Sequence, residues 1–67
     1  MTTIELGSHT MLINRDARTV GIYSDSSASD RAAQRDWKAV CRQLRELGVT
    51  GLDESYADGC DVFAGRF

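Results

Sequence analysis

The chain is predicted to fold as an α+β domain: a three-stranded antiparallel meander, one amphipathic helix packed on one face, and one or two further C-terminal strands. Three observations predict this. Residues 2–24 hold three short runs in which apolar and polar side chains alternate, the period of half-buried strands. Residues 29–47 change to a repeat of 3.6, the period of an amphipathic helix. The whole chain is 67 residues, enough for one domain. Three strands and a helix bury both apolar surfaces only by packing on each other.

The elements follow in order. Thr2–Leu6 is the first strand, ended by the turn pair Gly7-Ser8. His9–Asn14 and Thr19–Ser24 flank Arg15-Asp16-Ala17-Arg18, a length suited to a hairpin loop. Alternation assigns Ile4, Leu6, Met11, Ile13, Val20 and Ile22 to the inner face. It leaves Thr3, Glu5, Thr10, Leu12, Asn14, Thr19, Gly21 and Tyr23 outside. His9, the only histidine, is expected at the surface of a strand end.

Ser24-Asp25-Ser26-Ser27 breaks the strand pattern, and Ser27 with Asp30 is expected to form a capping box at the helix start. Ala33, Trp37, Val40, Cys41, Leu44 and Leu47 make the apolar stripe, with Trp37 as the largest contributor to the core. Gly48 suits the left-handed position after a helix, where Val49 folds back on Leu44. Asp58-Gly59 is a hairpin turn signal joining Leu52–Ala57 to Cys60–Phe67. The second arm, with Val62, Phe63 and Phe67, is a strand. The first carries Asp53 and Glu54, has poor strand character and reads as a loop or a weak strand.

Composition narrows the function. A hydrophobic fraction of 42% without proline suits a folded chain. A domain this small leaves little framework for a deep substrate cleft, so an enzyme is not expected. No Gly-rich phosphate loop and no zinc spacing occurs, and no cofactor or metal is expected. The stretch from Asp53 to Asp61 lacks the residue order of a calcium loop. No apolar run reaches the roughly 20 residues of a membrane span, and Met-Thr-Thr-Ile-Glu-Leu does not resemble a secretion signal. The expected setting is the cytoplasm, with no membrane partner, a monomeric chain, and Cys41 and Cys60 as free thiols.

Charge is where the sequence is most ordered. Arg31, Arg35, Lys38, Arg42 and Arg45 recur at steps of four and three. They cluster within about 80° of a helical wheel, opposite the apolar stripe. This ridge reads either as the solvated back of the core helix or as an anion-binding surface. Like charges at these spacings cost a few tenths of a kcal/mol per pair. Arg42 and Glu46 are within i+4 reach of each other. Residues 29–47 carry a balance of +2 and the rest of the chain −4. The acids gather in Asp25, Asp53, Glu54, Asp58 and Asp61, and the molecule is expected to be bipolar. They read either as ordinary turn chemistry and solubility or as phosphate mimics facing a basic protein groove. A net charge of −2, a pI near 5.1 and no aromatic on the basic ridge itself argue against nucleic acid as the main ligand.

In its βββα order, its size and the acidic stretch Asp53-Glu54-Ser55-Tyr56-Ala57-Asp58-Gly59-Cys60-Asp61, the chain resembles small phage-encoded anti-CRISPR proteins. The resemblance is one of overall pattern and carries no motif, so it transfers no residue role. It implies a non-enzymatic inhibitor that mimics DNA toward a basic nucleic-acid-binding protein, namely a subunit of a type I CRISPR effector. The alternative is a small nucleic-acid-binding or regulatory module that uses the basic ridge.

Overall fold

A computed structural model describes residues 1–25, 27–57 and 60–67. The Asp58-Gly59 turn, Asp58 as a site residue and the Cys60 thiol lie outside the described residues and side chains. The element order is β1 (Thr2–Leu6), β2 (His9–Asn14), β3 (Thr19–Ser24), α1 (Asp30–Leu47), β4 (Asp53–Ala57) and β5 (Cys60–Arg66). All five strands form one antiparallel sheet in the order β1-β2-β3-β5-β4. The α+β prediction and the bounds of the first three strands agree with this structure.

The helix lies over β1 and β2 on one face of the sheet. Met11, Ile13, Val20 and Ile22 from that face and Val40 and Leu44 from the helix form the buried core, with Ile4 and Leu6 half-buried against it. Trp37 is half-buried and sits at the border of this core, where its ring meets Phe63 with centroids 5.1 Å apart. The branched and sulfur side chains fill the centre, and Trp37 packs against them from the border. Cys41 is a half-buried free thiol beside the stripe.

Two helix boundaries carry clear physical causes. The N-cap is Ser29, whose hydroxyl accepts from the Ala32 N–H. The expected Ser27–Asp30 capping box is absent because Ser27 is engaged upstream: its N–H and hydroxyl both donate to Asp25 Oδ1. At the other end Gly48 has φ 87°, its N–H reaches Arg45 O and Leu44 O, and Val49 N donates to Leu44 O. These bonds make a Schellman cap, as the sequence predicts.

The chain from α1 to β4 crosses above Gly65 of β5. A Cβ there would lie 2.9 Å from Gly51 O and 2.9 Å from Val49 Cγ1, so only glycine admits this crossing. DESYA is a strand because β5 pairs with it along its full length, despite two acids that are poor strand formers alone. Arg18, at φ 56°, ties the β2–β3 loop to the end of β5: its Nε donates to Phe67 O, and Phe67 N donates back to Arg18 O. No helix among the described residues is long and apolar enough to cross a membrane.

Candidate functional site

Strand register decides which acids meet. Ser24 pairs with Asp61, Asp61 with Tyr56, and Phe63 with both Ile22 and Glu54. Since Ile22 points to the helix side, alternation places Asp61, Phe63, Glu54 and Tyr56 on that same side. The helix does not cover the β5–β4 end of the face. A cleft of about 290 Å³ opens there between the β3–α1 loop, the helix N-terminus and β5. Asp25, Asp30 and Asp61 line it, with Trp37 and Phe63 as aromatic walls.

Of the expected acidic set, the structure thus brings Asp25 and Asp61 together and places Glu54 on the same face, exposed on the outermost strand. It separates Asp53, which pairs with Ala64 and falls on the uncovered face in a groove with Arg66. Asp30 joins the cleft. Its position, about 100° before Arg31 on the wheel, puts it beneath the helix near Trp37, a signal present in the spacing. The Ser27 hydroxyl, and then the Ser27 N–H, hold the Asp25 carboxyl below its ordinary range, so it is charged at neutral pH.

All five basic ridge residues are exposed, as predicted. Among the described residues, the ion pair is Arg35 Nε to Asp36 Oδ1 at 3.1 Å, and Arg42 and Glu46 form none. Arg42 and Glu46 both extend into solvent, where such a pair in the weaker order gains little.

Two residues with structural roles escaped the sequence reading. His9 is buried, with 4% of its surface exposed, and is not a surface residue. Its Nε2 donates to Ala33 O at 3.0 Å, which leaves Nδ1 to accept from the Ser24 hydroxyl at 2.7 Å. Its ring meets Trp37 edge-on at 5.3 Å. It shares strand parity with Met11 and Ile13, and that parity was the available signal. Asp36 accepts from Ser8 N at 2.9 Å and Ser8 Oγ at 3.1 Å, pinning the helix to the β1–β2 turn. The Ser8 N–H, followed by the Arg35 guanidinium, holds its carboxyl below the ordinary range. On the wheel Asp36 falls about 20° from Leu47, on the flank of the apolar stripe.

Among the described residues, no group of three His, Cys, Asp or Glu side chains is placed to hold a metal ion. Ser24 and His9 stand at the distance of a hydroxyl and its base. The charged side chains lining the cleft beside them are carboxylates, which oppose a developing oxyanion. No family model matches the chain, and no curated protein and no solved structure matches it either.

Proposed function

We propose that this protein is a small non-enzymatic inhibitor that covers a basic nucleic-acid-recognition surface with the acidic rim of Asp25, Asp30, Glu54 and Asp61. The observation that carries the reading is that carboxylates from the β3–α1 loop, the helix start, β4 and β5 fall on one side of the sheet, with no lysine or arginine lining the cleft. Carboxylates fixed on strands and a helix start stand in for phosphates and steer a cationic groove toward the rim. The pattern resemblance to anti-CRISPR proteins directs the first test to type I CRISPR surveillance complexes.

That test measures target-DNA binding by such a complex as the protein is added. Inhibition should reach completion near one equivalent per binding site. The triple variant Asp25→Lys, Glu54→Lys, Asp61→Lys should lose it, whereas Glu5→Lys, on the opposite edge of the sheet, should retain it. Full inhibition by the triple variant would refute the acidic rim as the binding face. A second reading rests on the exposed ridge of Arg31, Arg35, Lys38, Arg42 and Arg45 as a nucleic-acid site. A gel shift with duplex DNA and RNA at low salt tests it, since counterion release favours binding most under those conditions. No shift would remove that reading.

A further inference from the structure

β4 is one of the two outer strands of the sheet, and no described strand lies beyond it. The direction of its backbone groups follows from the ladder. Phe67 N donates to Arg18 O, so residues 18 and 67 are a hydrogen-bonded pair. Bonded and non-bonded pairs alternate in an antiparallel ladder. Asp61 and Phe63 therefore direct their backbone groups toward β3, and Val62 and Ala64 direct theirs toward β4. Ser55 and Asp53 bond to β5, whereas Glu54 and Tyr56 turn their N–H and C=O groups outward.

Outer strands are commonly blunted by lysine, proline, a bulge or a cover. β4 has no lysine or proline, its pairing runs without a bulge, and Asp53 to Tyr56 are all exposed. It carries two adjacent acids instead. The other outer strand, β1, carries Glu5 and likewise no basic residue. Copies of this chain therefore meet edge to edge with acids and no compensating cation. A strand bearing Lys or Arg gains a backbone ladder and opposite charges across it.

We infer that β4 is a docking edge that takes an extended basic segment of a partner protein as a sixth strand. Glu54 and Tyr56 supply the main-chain hydrogen bonds. A guest Lys or Arg opposite Glu54 lies on the helix side, the side that carries Asp61, and one opposite Asp53 lies on the uncovered face. Favourable cross-strand charge pairs add to the attachment, and main-chain bonding is the larger part. The inference rests on the acidic-rim reading and adds the mode of attachment.

The test uses the unaltered protein, labelled with ¹⁵N, and a ten-residue peptide of alternating Lys and Val. A twin of this peptide is N-methylated at every second residue, so that one edge lacks N–H donors whichever way it docks. Its second edge is blocked in a third peptide methylated at the other positions. The unmethylated peptide should slow amide exchange at Glu54 and Tyr56 at least tenfold, and one of the two methylated twins should lose most binding. Absence of binding, protection at Thr3 and Glu5 of β1 instead, or equal binding of all three peptides would overturn strand addition. Equal binding that is lost in Asp61→Lys would leave the acidic rim standing while removing the added strand. Tyr56→Pro gives a further check: it deletes one outward N–H and no charge. With its melting curve intact, it should weaken peptide binding at least fivefold, and unchanged binding would count against the docking edge.

Discussion

Replacing His9 by alanine should come close to unfolding the domain. The ring makes two hydrogen bonds, to Ser24 Oγ and Ala33 O, and an edge contact with Trp37. Each neutral hydrogen bond contributes about 1 kcal/mol net. The aromatic pair adds about 0.5–1.5 kcal/mol. Together these give about 3 kcal/mol, against a net stability of roughly 3–5 kcal/mol for a core of this size. The midpoint of thermal unfolding, followed by circular dichroism, should fall by about 12–24 °C at 4–8 °C per kcal/mol. His9→Phe preserves the ring and removes both hydrogen bonds, so it should lose about 2 kcal/mol. Urea titrations of both variants should show an unchanged slope with a lower midpoint. If His9→Ala unfolds within about 0.5 kcal/mol of the parent, the range of an ordinary surface substitution, the ring is not the tie described above. Equal losses in the two variants would place the whole effect in the hydrogen bonds and refute the contribution from the aromatic pair.

Other substitutions test the remaining joints. Gly7→Ala should cost at least about 2 kcal/mol, because φ is 65° and a Cβ would overlap the Asp36 carboxylate. Gly48→Ala meets no atom within 4 Å and should cost only about 1 kcal/mol for the left-handed backbone; chemical denaturation of the pair checks the ranking. Ser29→Ala should cost about 1 kcal/mol by the same measurement, through loss of the cap on Ala32 N–H. Asp36 has a folded-state pKa below its ordinary 3.8. Its stabilising effect is therefore complete above about pH 4 and is lost as pH falls through the lower folded value. Asp36→Asn should reduce stability at neutral pH and flatten the acid limb of a stability-against-pH curve, and an unchanged limb would contradict the assignment.

Much of the fold was legible because its signals are local. The alternation of β1 to β3 and the 3.6 repeat of α1 each lie within one element, and Gly48 marks its own helix end. The errors arise where a partner distant in sequence decides. Ser27 looked like a cap until Asp25 claimed both its donors. The strand character of DESYA comes from β5, not from its own side chains. The acidic set was visible as composition, but its division was not. Asp53 and Asp61 are separated by register, and no count of charges reveals which face each takes. His9 was the avoidable miss, since its parity with Met11 was plain.

The strand order also governs how the chain can be assembled. β5 follows β4 in sequence yet lies between β3 and β4 in the sheet. During synthesis the meander and the helix can pack as soon as Gly48 has emerged, because their contacts are already complete. β4 then has nothing to pair with until β5 enters and bonds on both sides. Seating β5 is thus a late, long-range closure, and such closures slow folding because the loop entropy is lost before the contacts form. Ala64 and Val62 substitutions should consequently speed unfolding more than they slow folding, the signature of contacts made after the main barrier.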